Sequence, residues 1–393
     1  MTKSVVIASG VRTAIADAGG ALAGVSPCDL GAAVAREAIA RAGIEPDAVG
    51  QSVFGNVIHT GPEDMYLARV VAMRAGVPET SPALTLNRLC GSGLQAVVSA
   101  AEQIMLGNCD TALAGGAESM SRAGHLLTHS RSGQKMGDVV ATDMMLGALN
   151  DPFGNGHMGI TAENVAKRGN IDRIAQDAYA LESHRRAARA IEQGRFKQQI
   201  LPIPVRRGRE EVNFDTDEHV RPNLTEADLT KLRPAFAKDG SVTAGNASGI
   251  NDGAAALVLM EAETAGARGV TPMARIVAYG LGGVAPEVMG LGPVPATRQA
   301  LERAGLQVSD LDVIESNEAF AAQACAVSAD LGLPVEKVNP NGGAVALGHP
   351  VGASGAIILT KLLYELERIG GRYGLATMCI GGGQGIALIV ERG

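Results

Sequence analysis

Arg36 to Ile44 reads REAIARAGI, and Arg298 to Leu306 reads RQALERAGL, an offset of 262 residues. Five of the nine letters are identical, and two others are Ile/Leu exchanges. In the same register Gly91-Ser92-Gly93 falls on Ala353-Ser354-Gly355, and Leu113-Ala114 falls on Leu375-Ala376. The strand-like openings SVVIASG (4–10) and ARIVAYG (274–280) also match, at a slightly different offset. Three separated segments in one register imply a duplicated unit. Each copy reads helix, strand, linking region, small-residue turn, helix, strand, so the expected class is α/β with two equivalent halves. A pseudo-twofold between such halves brings their equivalent turns towards each other.

The repeat also locates an excursion. In the second half the strand LATMCI (375–380) is followed, after a glycine turn, by GIALIVE (385–391). Their counterparts, TALAGG (111–116) and AALVLME (255–261), are far apart in the chain. Something is therefore inserted between neighbouring strands, from about Glu118 to Gly249. It carries a long helical pattern from Ile171 to Gln193, the Pro-punctuated LPIPVRRGRE and glycine-rich stretches. An excursion of that length is normally functional or oligomeric. The expected division is 1–118 with 250–270, an inserted unit at 119–249, and 271–393.

Hydrophobic residues make up 46% and charged residues 19%, so a large core is expected, and without Trp it is built of Ala, Val, Ile and Leu. A net charge of −7 and the lack of a base-stacking aromatic cluster argue against nucleic acid as a partner. The five cysteines are scattered with no CxxC, which excludes a disulfide framework or zinc ribbon. The opening MTKSVVIASG is too short for a signal peptide, no apolar run of about 18 residues exists, and LIVERG carries no targeting tripeptide. The expectation is a cytoplasmic protein with no membrane association.

Four segments surround one reactive side chain with small residues: NRLCGSG (87–93), SNEAF (316–320), GGAVALGHPVGASG (342–355) and MCIGGGQG (378–385). Cys90 sits where a short strand, Ala83 to Leu86, read as buried, hands over to an apolar helix running Leu94 to Leu106. The helix N-terminus favours thiolate over thiol, whereas a packed structural cysteine is the blander reading. His349 precedes the turn that matches the Cys90 turn, and a histidine near a cysteine can take its proton. Cys379 ends a strand and runs into three glycines. Alone, His349 reads as structural and Cys379 as core; together in a duplicated scaffold they read as a nucleophilic site. GGGQG runs into a strand and not a helix, so it is no dinucleotide loop. His125 and His129 lack the partners of a metal site. The basic group Arg206, Arg207, Arg209, Arg221, Lys231 and Arg233 suits either a solvated face or a ligand bearing several phosphates.

NRLCGSGLQA, GGAESMS, HMGITAENVA, TAGNASGINDGA, NEAFAAQA, ALGHPVGASGA and CIGGGQGIA together resemble the thiolases, in particular the acetyl-CoA acetyltransferases and β-ketothiolases of bacterial polyhydroxybutyrate and related polyester synthesis. The resemblance spans the chain, with Val351 where Ile is common and Gln384 where Met is often found. It implies the thiolase-like fold, a layered α-β-α-β-α core with an inserted loop domain. It also implies that Cys90 is the nucleophile acylated by acyl-CoA, His349 its base, and Cys379 the second acid/base. Asn317 would hold a water completing one oxyanion site, and the backbone N–H groups of Cys90 and Gly381 would form another. Leu149, His157, Met158, Arg221, Leu232, Phe236, Ala244, Ser248, Met289, Ala319 and Phe320 would line the coenzyme A groove. Ser121 to Met145 resembles the family's tetramer-forming loop, so a homotetramer is implied. The implied reaction joins two acetyl-CoA into acetoacetyl-CoA, or reverses this, with coenzyme A thioesters as substrates and neither cofactor nor metal. Two alternatives stay open: a degradative 3-ketoacyl-CoA thiolase preferring longer chains, and a non-catalytic thiolase-like carrier.

Overall fold

Residues 3–393 are described by a computed structural model, which is α/β throughout. Nine principal strands run β1 (Val5–Thr13), β2 (Gln51–Gly55), β3 (Ala83–Leu86), β4 (Thr111–Ser119), β5 (Asn251–Glu261), β6 (Ala274–Gly283), β7 (Val313–Ser316), β8 (Tyr373–Ile380) and β9 (Gln384–Glu391). Their hydrogen-bonded order is β7-β8-β9-β6-β1-β5-β4-β2-β3. Read outward from the β1/β6 seam, the two arms repeat one another: antiparallel to the first neighbour, antiparallel to the next, then parallel. Even the register shift recurs, between Ile7 and Ser9 on β1 and between Ile276 and Ala278 on β6. The duplication read from the sequence is thus a duplication of hydrogen-bond pattern.

The seam itself is thin. β1 and β6 pair through two residue pairs, Val6↔Arg275 and Ile7↔Ala274, joining the two half-sheets at one edge. Between the arms lie two helices, α1 (Ser92–Met105) and α2 (Ser354–Ile369), each packed on strands of both halves. They are among the most apolar helices of the chain, and α2 buries twelve of its sixteen residues. A helix apolar around most of its circumference needs cover on both sides. That requirement produces the layered core.

The two helices touch at glycine. A Cβ on Gly93 would lie 2.7 Å from the backbone nitrogen of Ala356, and one on Gly355 would lie 2.2 Å from that of Leu94. These glycines are partners in the repeat, and their reciprocal contact lets the helix backbones meet with no side chain between. The turns before each helix, which carry Cys90 and His349, are drawn together as a result.

β4 and β5 lie side by side, with Ser119 opposite Asp252, and residues 120–250 leave and return between them. The long helix expected from Ile171 to Gln193 spans Arg173–Glu192. The expected buried strand Ala83–Leu86 is instead an edge strand, paired on one side alone, with Leu84 48% exposed. His125 lies on a short exposed strand paired to Ala141–Asp143. Among the described residues no helix is long and apolar enough to cross a membrane.

The glycine contact sets a stability test. Gly355→Ala should lower unfolding free energy by about 1–3 kcal/mol, the usual range for overpacking a tight site. Gly266→Ala, in the Ala262–Ala267 helix where an added Cβ meets open space, should be neutral or stabilising by up to about 1 kcal/mol. Urea denaturation checks both, and equal behaviour of the two variants would contradict the close helix approach.

Candidate active site

Cys90 follows Leu89, whose φ of +45° is uncommon for a branched residue. The Ser92 hydroxyl locks this turn, donating to Leu89 O at 2.6 Å while its oxygen accepts the Arg88 N–H at 2.8 Å. A Cβ on Gly91 would come 2.5 Å from Ile380 Cδ1, so the Cys90 turn presses on the end of β8. Cys379 and Gly381 belong to that strand end and the hairpin turn after it. His349 arrives from the other side, in the turn before α2. The three come to one cavity of about 420 Å³, lined by Cys90, His349, Cys379 and Gly381 together.

Burial decides the protonation states. The N–H groups of Gly381 and of Cys90 itself favour the Cys90 thiolate, but burial outweighs them and pushes the thiol up to about 11. The expected thiolate is therefore a thiol at rest. The reason is desolvation: covering the sulfur disfavours the charged form by more than the Gly381 and Cys90 amides favour it. Cys379 packs among Met158, Met289, Ala319 and Phe320, and burial with Cys90 nearby raises it still further. His349 is pushed down to about 4, again by burial, and is neutral near pH 7.

The tautomer of His349 follows from its partners. Ser354 Oγ donates to Pro350 O at 2.9 Å, leaving its oxygen to accept from Nδ1–H of His349 at 2.6 Å. Nε2 is then the unprotonated nitrogen, and Asn317 Nδ2 lies 3.4 Å from it. In this state Nε2 of His349 can accept a proton, and once protonated it can donate one.

Of the expected groove residues, Leu149, His157, Met158, Arg221, Phe236, Ala244, Ser248, Met289, Ala319 and Phe320 line this same cavity. His157 stacks on Phe236 at 4.7 Å, and Phe236 meets Phe320 edge-on at 6.1 Å. Leu232 is displaced: it lines an adjoining recess of about 610 Å³ that shares His219, Arg221 and Ala244 with the main cavity. Asn317 also stands outside the cavity wall, behind His349. Among the described side chains of the basic group, which leave out that of Arg207, Arg221 alone lines the cavity, while Arg206 and Arg209 are exposed and Lys231 lies 3.6 Å from Asp228 at the surface.

Sequence reasoning missed the supports. Glu118, fully buried, accepts the N–H groups of Val57, Ile58 and Gly352 at 3.0, 3.1 and 2.8 Å, and burial pushes its carboxyl up to about 8. It ties the His349 turn to the first half. Glu318, beside Asn317, takes Tyr179, Ser183, Asn339 and the Val345 N–H within 3.1 Å. A charged residue in an otherwise apolar, small-residue stretch was the available signal for both. His219, at the cavity wall, had none. Among the described residues no cluster of three or more His, Cys, Asp or Glu is disposed to hold a metal ion.

Comparison with known proteins bears on the whole chain. Residues 5–263 match the family description "Thiolase, N-terminal domain" and residues 270–392 match "Thiolase, C-terminal domain". The chain belongs to the thiolase family. It is 63% identical to a beta-ketothiolase, BktB, of Cupriavidus necator over the full length of both chains. An acetyl-CoA acetyltransferase of Escherichia coli is 52% identical over 99% of each. Among solved structures, a Bacillus anthracis acetyl-CoA acetyltransferase superimposes with a TM-score of 0.97 at 46% identity, covering 100% of this chain and 99% of that one. A human mitochondrial 3-ketoacyl-CoA thiolase does so with 0.97 at 42%, covering 99% of each. The thiolase fold expected from the sequence is the fold of the chain.

The depressed His349 gives a signed prediction. An ordinary histidine, as in the unfolded chain, titrates near 6.5, whereas folded His349 resists protonation down to about 4. Below pH 6.5 the unfolded chain therefore binds the extra proton, and stability falls as pH drops towards 4. His349→Asn should remove about 3 kcal/mol of this loss across the full window. Urea unfolding of both proteins at pH 7 and pH 4 measures it; equal slopes would remove His349 as a buried neutral base.

Proposed function

We propose that this thiolase is an acetyl-CoA C-acetyltransferase, a β-ketothiolase that condenses two acyl-CoA molecules to 3-ketoacyl-CoA and coenzyme A, and catalyses the reverse thiolysis. The observation that carries the reading is the convergence of two protonated thiols and one neutral imidazole on a single apolar cavity. A carrier would need the cavity and not this triad. The names of the relatives point the same way.

The chemistry follows from the protonation states. Neutral His349 Nε2 takes the Cys90 proton as sulfur attacks the thioester carbonyl, which avoids a free thiolate in a dry site. The oxyanion meets fixed donors, with the protonated Nε2 on one side and the Cys90 and Gly381 amides on another. Asn317 stands beside Nε2, close enough to steady it or a bridging water. As coenzyme A leaves, Cys379 gives it a proton. What remains is a thiolate whose conjugate acid is very weak, and that is the strong base needed to remove a proton from the methyl carbon of the second acetyl thioester. The enolate then attacks acyl-Cys90, and the returning Cys90 thiolate recovers the proton from His349. This sequence needs no resident cofactor or metal.

The long arm of the thioester lies along the insertion, between the His157–Phe236 stack and Ser248, with Arg221 and the Leu232 recess towards the phosphates. The exposed edge of β3 with Leu84, Met65 and Tyr66, and the apolar loop carrying Leu126, Leu127, Met136, Val139 and Val140, support association into a homotetramer. Its mass in solution, by light scattering, tests this.

Separate roles for the two thiols give the decisive experiment. Cys379→Ala should still become acetylated on Cys90 by acetyl-CoA, seen by intact mass, while methyl deuterium exchange and condensation fall about 10²- to 10⁴-fold. Cys90→Ser should form no acetyl adduct. Loss of acetylation and condensation in equal measure in Cys379→Ala would sink the division of labour.

A further inference from the structure

Three consecutive side chains dock the start of the channel wall onto residues 12–21. Asp217 takes both terminal guanidinium nitrogens of Arg12 at 2.7 and 2.9 Å and the Ile15 amide at 2.9 Å. Glu218 accepts the amides of Asp17 and Ala21 at 3.0 and 3.2 Å. His219 Nδ1 meets Asp17 Oδ1 at 2.5 Å. The first two contacts anchor the wall, and the third leads further. Asp17 Oδ1 also accepts from Asn251 Nδ2 at 3.2 Å, and Asn251 Oδ1 accepts the peptide N–H of His349 at 2.8 Å.

Asn251 is completely buried, and its orientation is fixed by chemistry. A peptide N–H needs an acceptor, so the oxygen faces His349 and the NH₂ group must find acceptors of its own, which are Ala16 O and Asp17. The carboxamide lies under Gly348, whose φ is +105° and whose added Cβ would come within 2.5 Å of it. Neither the turn nor the asparagine has another place to go. A hydrogen-bonded path therefore runs from His219, on the cavity wall, through Asp17 and Asn251 to the backbone of His349.

We propose that His219, Asp17 and Asn251 are positioning residues for His349, holding its backbone so that Nε2 stays in reach of Cys90, and tying that placement to the wall along which the thioester lies. The inference rests on His349 being the base proposed above. Ser354 fixes the tautomer of the ring from the Nδ1 side; the asparagine fixes where the ring starts. Because Cys90 is protonated at rest, a small displacement of Nε2 removes its activation and leaves substrate binding largely intact.

The test reads the activation of Cys90 by His349 in two ways. Alkylation of Cys90 by iodoacetamide at pH 7, followed by peptide mass mapping, reports its activation. Steady-state thiolysis of acetoacetyl-CoA reports kcat and KM. His349→Ala, the reference, should slow alkylation. Asp17→Ala should slow alkylation and lower kcat by about 10- to 100-fold, with KM within about 3-fold. Asp17→Asn keeps an acceptor for Asn251 and should restore both to within about 3-fold of the unaltered protein. His219→Phe, which keeps the ring volume and loses the bond to Asp17, should fall between, and carries the test if Asp17→Ala does not fold. Unchanged alkylation in Asp17→Ala with a raised KM, or Asp17→Asn as slow as Asp17→Ala, would overturn the positioning role while the base reading stands. Unchanged alkylation in His349→Ala would overturn the base reading and this inference with it.

Discussion

The reciprocal contact of Gly93 and Gly355 is the constraint on which the rest depends. Two helices whose backbones touch fix the distance between the turns before them, and those turns carry Cys90 and His349. A side chain at either glycine would press the two helices apart beside the turns that carry Cys90 and His349. The thin β1/β6 seam adds two residue pairs and could not hold that spacing alone. Close packing in the middle of the molecule therefore also sets the placement of the proposed reacting groups.

Burial then does the electrostatic work. It raises both thiols and lowers the imidazole, so the resting site holds no net charge on its three reacting side chains. Unpaired charges in so dry a cavity would be expensive. The site instead holds neutral donors and acceptors, and in the proposed mechanism charge would arise only when a thioester is present to share it. The aromatic and methionine walls that make this possible, His157 on Phe236 and Met158 beside Gly381, come mostly from the insertion. The wall along which the proposed substrate would lie also sets the protonation of Cys90, Cys379 and His349.

The sequence made the duplication legible because a repeat leaves letters in register, and it singled out the three side chains that line one cavity because each stands out among small neighbours. Cys90, His349 and Cys379 needed no contact map. Glu118, Ser354, Asn251 and His219 were not legible, since each works through a backbone amide, ring nitrogen or carboxylate in another segment of the chain. Glu118 reaches Gly352, and Asn251 joins His349 to Asp17. Pairings of that kind leave no spacing pattern. The state of Cys90 was misjudged for a related reason: a helix dipole can be read from a motif, but the desolvation opposing it depends on what covers the sulfur. Ala83–Leu86 was read as buried from its apolar letters, which cannot distinguish an edge strand from a central one.

The repeat also explains how one scaffold supports two different thiols. At the offset of 262 residues, Cys90 falls on Gly352, Cys379 on Ala117, and His349 on Asn87. None of the three side chains proposed to react has a like counterpart, so each half kept the turn and changed what it carries. The connection after the matching strand diverged as well. After β8 the chain reverses through Gly381–Gly383, with Gly382 and Gly383 at positive φ, and this presents the Gly381 amide to the Cys90 sulfur. After β4 the chain departs for the whole insertion before β5 returns beside it. One half therefore spends its hairpin on a tight donor turn and the other on a wall for the substrate. Without the insertion the cavity would lack its His157, Met158 and Phe236 walls, and without the tight turn Cys90 would lack the Gly381 amide.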